Sequence, residues 1–470
     1  MNRIEIDVAS ALEDRRLQAI LFPALQRSVE SRDEAVSEVE NWEELRDFGR
    51  RVKLHTLEKL PFYLEKLEEN VVGHGGKVLW AESGEDAVRM ILDIARERAV
   101  RKVVKSKTML GEEIHLNQGL EKGGLEVTET DLGEYIVQLS DEVPSHIVTP
   151  ALHKSRHDVA ELFEAKLGME PTDDVAKLTL TARKVLRRHF LEADLGISGV
   201  NFGIAETGTI VVVENEGNAR LSTSLPRVHI ALMGIEKVIP RTVDLSVFLK
   251  LLTRSATGQR ITSYVNLISG PKREGELDGP EEFFLILVDN GRSQIYEDKF
   301  LRQTLACIRC GACQNICPVF QRLGGHAYGT VYQGPIGSIL TPQMFPIAAV
   351  EEHPFASSLC GACEETCPVK IEIPKILLRL RQQVQEARNR GIQRFRPERL
   401  GMLIWAWVVS SSRRYGIASR WLRRVQSALL RNGRFKLAVP PISAWQKDRD
   451  VPGLAPKRFR DYRESEGAEH

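Results

Sequence analysis

The chain has 470 residues, 42% of them hydrophobic and 27% charged, with a formal net charge of +1. That length points to two to four domains, and the ordinary apolar content points to a soluble globular protein. A membrane-spanning helix is excluded, because the longest apolar run (Leu400 to Val409) has ten residues, half of the ~20 that a span requires.

The near-zero total conceals an asymmetry. From Lys375 onward there are 22 Lys/Arg against 8 Asp/Glu, and before it 43 against 56. A basic tail on an acidic body suits an anionic partner or a self-docking segment. The first residues show no basic stretch followed by an apolar core, so no secretory signal is expected. All seven cysteines lie between Cys307 and Cys367, which argues against a disulfide framework and for a reducing compartment. The cytoplasm is expected, with contact to the inner face of the membrane left open.

Residues 1–70 carry leucines at helical spacing (Leu17, Ile20, Leu21, then Leu54, Leu57, Leu60, Leu64, Leu67) and read as a helical docking segment without chemistry. Residues 71–298 alternate β-rich runs with helical stretches. Strands are expected at 209–213, 229–233 and 283–288, and helices at 158–167 and 173–195. This alternation implies an α/β domain with a largely parallel sheet. Residues 299–390 hold the cysteines, with Asp298 as N-cap of a helix leading to Cys307 and a further helix over 375–390. Residues 391–470 are basic and tryptophan-rich (Trp405, Trp407, Trp421, Trp445), and loop or extended from Pro440 through Pro441, Pro452 and Pro456.

The first four cysteines read Cys307-x2-Cys310-x2-Cys313-x3-Cys317-Pro318, and the last three Cys360-x2-Cys363-x3-Cys367-Pro368. The first run has the spacing of two-cluster ferredoxins, in which the fourth cysteine ligates the other cluster. The second run lacks its first cysteine, and Ser357 stands there. Crossing over assigns Cys307, Cys310, Cys313 and Cys367 to one cluster, and Cys317, Cys360 and Cys363 to the second. Both are expected to be [4Fe–4S]. The second is also compatible with [3Fe–4S], a non-cysteine ligand or a partner's ligand; His326 and His353 are weaker substitutes. Structural zinc prefers two cysteine pairs and fits seven cysteines badly. The 42 residues between Cys317 and Cys360 point to an α-helical dicluster module, not to the small βαβ ferredoxin.

The residues around these motifs carry a resemblance. The first cysteine run, Gly324-Gly-His-Ala-Tyr-Gly, Gly334-Pro-Ile-Gly and Ser357-Ser-Leu-Cys-Gly-Ala-Cys, with Glu129-Thr-Asp-Leu-Gly-Glu-Tyr, Ala205-Glu-Thr-Gly-Thr, Glu214-Asn-Glu-Gly-Asn-Ala-Arg and Arg254-Ser-Ala-Thr-Gly-Gln, resemble the lactate-utilization iron–sulfur protein B family over about residues 10 to 440. The resemblance implies an electron carrier in a multi-protein system oxidising L-lactate to pyruvate. Its partners would be a second cysteine-rich iron–sulfur protein and a lactate-utilization-domain protein. It also implies an α/β fold like that of sugar-phosphate isomerases and coenzyme A transferases, which does not fix function. A subunit of another 2-hydroxy-acid dehydrogenase and a redox-sensing binding module stay open, and no catalytic centre is identified.

Other features weigh less. Glu214, Asn218 and Arg220, with Glu206 and Thr207, would line a carboxylate or nucleotide-like pocket at strand ends, against simple turn chemistry at Gly208 and Gly217. Gly73 to Gly76 and Gly196 to Gly199 match no nucleotide fingerprint. Ser145, His146, His153 and His157 lack a nucleophile elbow. Arg413, Arg414, Arg420, Arg423 and Arg424 suit a solvated face or an anionic surface, and nucleic acid is not expected.

Overall fold

The computed structural model describes residues 4–389, 397–431, 434–435, 449 and 451–455, in two compact units, 1–387 and 388–470. The first begins with helices Val8–Glu13, Arg15–Ser37, Trp42–Glu58 and Leu60–Gly73. Their leucine stripe is buried where the spacing places it, at Leu57, Leu60, Leu64 and Leu67.

Beyond these helices the described residues of the first unit form ten strands: β1 Lys77–Ala81, β2 Lys102–Lys105, β3 Glu126–Glu129, β4 Leu195–Gly199, β5 Phe202–Ile204, β6 Thr209–Glu214, β7 Val228–Gly234, β8 Val238–Ile239, β9 Tyr264–Ile268 and β10 Glu282–Val288. Six form one sheet in the order β1-β10-β7-β4-β2-β3, parallel throughout. Every residue of β7 is buried, as a strand covered on both faces requires. The chain leaves β2 toward β3 but leaves β4 toward β7, and this reversal opens a crevice at the strands' carboxyl ends.

The strand expected at 209–213 is present as β6, but it belongs to a second sheet ordered β8-β5-β6-β9. Only four residues separate β5 from β6. That is too short for a crossover, so the two pair antiparallel as a hairpin. Gly208 makes the turn at φ +65°, and a Cβ there would lie 2.5 Å from the Asn70 carbonyl carbon.

The cysteine region is helical, with Ala312–Ile316, Phe320–Leu323, Gly334–Met344, Ala362–Glu365 and Ile373–Asn389. Asp298 does cap, accepting from the Phe300 and Leu301 N–H groups at 2.8 and 2.9 Å. The segment beyond this cap is a 3-10 helix, Leu301–Ala306, not the expected α-helix; it ends with the Cys307 N–H on the Thr304 carbonyl at 3.3 Å. One apolar core runs from β5, β6 and β7 through Phe248 and Leu251 to Cys310, Val369 and Ile376. The cysteine turns are therefore set into the same core as the sheets.

The second unit has helices Pro397–Val409 and Ser412–Leu429 and three short antiparallel strands, Leu430–Arg431, Arg434–Phe435 and Val451–Pro452. The last lies in the stretch expected to be loop or extended, and its backbone is extended. A proline is tolerated there because the strand is at the edge, where no N–H is needed. Pro440, Pro441, Trp445 and Pro456 lie outside the described residues.

Candidate iron–sulfur centre and an adjoining cleft

The two cysteine motifs fold by the same turn. Arg309 and Gly311 adopt positive φ (61° and 78°), and so do Leu359 and Gly361 (57° and 89°). These turns bring backbone N–H groups to the sulfurs. Arg309 N–H donates to Cys307 Sγ and Ile371 N–H to Cys367 Sγ, each at 3.4 Å. Further N–H groups face Cys310 from Ala312, and Cys317 from Val319 and Phe320. In the second motif Leu359 N–H donates to Ser357 Oγ at 3.1 Å. Ser357 thus presents its oxygen in the turn position where Cys307 presents its sulfur.

Cys307, Cys310, Cys313 and Cys367 line a single small cavity walled by Ile308, Ile336 and Ile373. Cys360 acts electrostatically on Cys317 and Cys363, and Cys317 acts on Cys363. Cys310, Cys317, Cys363 and Cys367 are buried and Cys360 is exposed. Burial pushes the Cys310, Cys313 and Cys317 thiols up, with other cysteines adding to it. It carries Cys363 to about 12 and Cys367 to about 11. A lone thiolate is costly in such surroundings, and a bound cation replaces the proton. Seven thiols with N–H donors aimed at sulfur fit iron–sulfur centres.

The N-terminal helices hold these turns, although their sequence carries no sign of that chemistry beyond the leucine stripe. Buried Arg46 donates to the Cys367 carbonyl at 3.0 and 2.8 Å, to Glu365 at 2.6 Å and to Glu364 at 3.2 Å. Arg32 donates to the Thr366 carbonyl at 3.3 Å. A basic residue on the apolar stripe of a helix was the only signal that could have found them.

A cleft of about 350 Å3 opens at the carboxyl ends of β2, β3, β4 and β7, and Arg309 of the first cysteine turn lines it. Beneath it, Arg292 binds Glu113 bidentately at 2.8 Å and Glu236 at 2.7 Å. Glu236 also meets Arg309 at 3.4 Å, and the Arg309 guanidinium stacks on Tyr332 at 4.7 Å. Burial raises the Glu236 carboxyl, but Arg292 and Arg309 outweigh it and bring it to about 2. Lys53 reaches the Glu236 carbonyl at 2.5 Å, and burial pushes it down to about 7. Lys237 also lines the cleft; burial, then Arg309, lower it to about 8.

Of the pocket residues expected from sequence, Glu214 and Asn218 line the cleft and Arg220, Glu206 and Thr207 do not. Glu206 and Glu214 sit at opposite ends of the hairpin. Glu214 caps helix Asn218–Ser224 by accepting from the Ala219 and Arg220 N–H groups at 2.7 and 2.8 Å, and Glu206 accepts from Thr242 N–H at 2.9 Å. His326 and His353 are committed to the Val143 and Tyr328 carbonyls at 2.7 and 3.0 Å. Ser145 lies 2.7 Å from His153, which lies 2.6 Å from Glu142. Ser145 is only 4% exposed, so this row fixes a loop without offering a nucleophile to a substrate. His146 accepts the Val148 and Thr149 N–H groups at 3.1 Å and meets Asn315 at 2.9 Å, and exposed His157 pairs with Glu161 at 3.3 Å. A buried ionic layer was not foreseen: Lys105 meets Glu129 at 2.6 Å and Glu112 at 3.2 Å, while burial, with Glu129, pushes neighbouring Glu134 up to about 8.

Residues 64–288 match the LUD domain, residues 303–371 the 4Fe-4S dicluster domain, and residues 377–468 the C-terminal region of lactate utilisation protein B. Lactate utilization protein B of Bacillus thuringiensis (strain Al Hakam) and that of Bacillus cereus (strain AH187) are each 44% identical over 455 residues, 97% of this chain and 95% of theirs. A crystal structure of a DUF162 family protein from Deinococcus radiodurans aligns to 49% of this chain and 98% of its own, at 13% identity and a TM-score of 0.28. Among the described residues no helix is long and apolar enough to cross a membrane.

Proposed function

Because the chain belongs to the lactate utilization protein B family, we propose that it is an iron–sulfur electron carrier serving the oxidation of L-lactate to pyruvate. The observation that carries this reading is the gathering of Cys307, Cys310 and Cys313 with Cys367, about sixty residues later in the chain, around one cavity. In this reading those four hold the first centre. Cys317, Cys360 and Cys363 hold the second, with Ser357 Oγ as its fourth donor.

When bound, such clusters supply one-electron redox centres. The residues of this chain do the rest. Apolar walls exclude water from the first set, and N–H donors lower the negative charge on its sulfurs. Arg46 and Arg32 fix the second turn. Because Cys360 is exposed, the second set would lie nearer the surface, where electrons would pass to or from partners: a second cysteine-rich iron–sulfur protein and a LUD-domain protein. In the second unit Leu403, Trp405 and Trp407 are exposed on helix Pro397–Val409, and together with Arg413, Arg414 and Arg420 they suit docking to a partner or an anionic membrane face.

The test is anaerobic purification with iron and sulfide analysis. Two clusters per chain and visible absorbance that bleaches with dithionite are expected. Lactate should reduce the protein only when its partner subunits are present. Zinc in place of iron, or lactate turnover by the isolated chain, overturns the reading.

A further inference from the structure

The cleft at the ends of β2, β3, β4 and β7 holds none of the cysteines, yet it shares Arg309 with the first cysteine turn. The Arg309 side chain is 9% exposed. Its Nη2 meets Glu236, while its Nη1 is buried with no partner. Both carboxylate oxygens of Glu236 are engaged, one by Arg292 and one by Arg309. Lys237 on the same wall has no ion pair among the described residues. Positive charge and an unused guanidinium donor therefore remain at the cleft's base. A planar guanidinium edge matches a carboxylate.

The rest of the cleft narrows the choice. About 350 Å3 lies at the small end of ligand sites and is too little for a dinucleotide. Asp131, Glu214 and Glu216 stand on its walls and outnumber the wall cation Lys107, which donates to the Val148 carbonyl; they disfavour a dianion such as phosphate. Asn218 and the buried, partnerless Ser106 Oγ offer hydrogen bonds to a second oxygen.

We infer that this cleft binds a small monocarboxylate bearing a second oxygen substituent, seated on Arg309 and Lys237, and that its binding is coupled to the redox state of the adjoining cysteine centre. The coupling follows from position. Arg309 gives its backbone N–H to Cys307 Sγ and its side chain to the cleft, and negative charge at Cys307 favours the protonated forms of both Arg309 and Lys237. An anion on these cations offsets the charge that favours an added electron. It therefore binds the oxidised protein more tightly and lowers the midpoint potential, the two effects being reciprocal. The inference rests on the electron-carrier reading and adds to it a ligand site within the carrier itself.

The experiment uses the full-length, anaerobically purified, cluster-loaded chain with L-lactate, pyruvate, L-lactamide and inorganic phosphate as probes. Calorimetry gives affinity for the oxidised and dithionite-reduced protein, and EPR-monitored titration gives the midpoints. Pyruvate or L-lactate should bind the oxidised form about tenfold more tightly, which for one electron is a lowering of about 59 mV. Lys237→Gln should lose about tenfold in affinity together with the shift, and Lys237→Arg should keep both. Equal binding to wild type and Lys237→Gln, equal binding of the neutral lactamide or of phosphate, or an unmoved midpoint would each overturn the inference. Iron content and bleaching by dithionite judge the carrier reading separately, so the two failures are distinguishable.

Discussion

Replacing Arg46 by leucine should unseat the second cysteine turn. The guanidinium serves three carbonyls: Cys367, fully buried, and Glu364 and Glu365, partly buried. Leaving a buried acceptor unpaired costs about 1–3 kcal/mol. The Cys367 carbonyl should bear about 2 of that and the two wetter carbonyls about 1 each, giving a loss of about 3–5 kcal/mol. Leucine preserves the apolar stem, so the loss reports the hydrogen bonds more than the packing. Urea titration under anaerobic conditions, followed together by far-UV circular dichroism and visible absorbance, should show the midpoint falling by about 1–2 M. Iron should be released earlier than from wild type. Arg46→Lys keeps the charge but not the fork, and should fall between. An Arg46→Leu protein with wild-type midpoint and wild-type iron retention would refute the claim that these helices hold the centre.

Cys367→Ser should eliminate the same EPR signal as Cys307→Ser, and Cys317→Ser the same signal as Cys360→Ser; pairing by sequence neighbourhood instead would disprove the crossed ligand sets. Ser357→Ala should speed bleaching of the second centre in air and Ser357→Cys should slow it, whereas three equal rates would remove Ser357 from the centre. His229, buried against Ser198 at 2.8 Å, is pushed down to about 3 by burial. The unfolded chain takes up its proton near pH 6.5 and the folded chain only near pH 3, so stability is full above that window and falls through it. Between pH 7 and pH 5 this one residue should cost about 2 kcal/mol, and His229→Leu should flatten that part of the stability profile. Gly196→Ala would set a Cβ 1.7 Å from the Ser222 carbonyl oxygen, so a stability loss of about 3 kcal/mol is expected, read as a lowered thermal midpoint.

Local pattern was enough for the features that repeat at short range. The leucine spacing of 1–70, the mostly apolar runs of β7 and β10, and the cysteine turns with glycine at positive φ are each dictated by neighbours a few residues away. The sheet to which β6 belongs was not legible for the opposite reason: Thr209–Val213 is β-branched throughout and suits either sheet, and the four-residue turn at Gly208 forbids the parallel one. Arg46 and Lys53 were illegible because their partners are backbone carbonyls more than a hundred residues away, which have no sequence signature.

By itself, then, the sequence determined the ligand chemistry, because the spacing of cysteines along a turn fixes which sulfurs face one another. Only the tertiary structure set Arg309 between the first cysteine turn and a cleft, brought Arg46 under the second turn, and sent Cys360 to the surface. Those placements come from one shared core, in which helices, sheet and cysteine turns bury each other's apolar faces. No single segment encodes them.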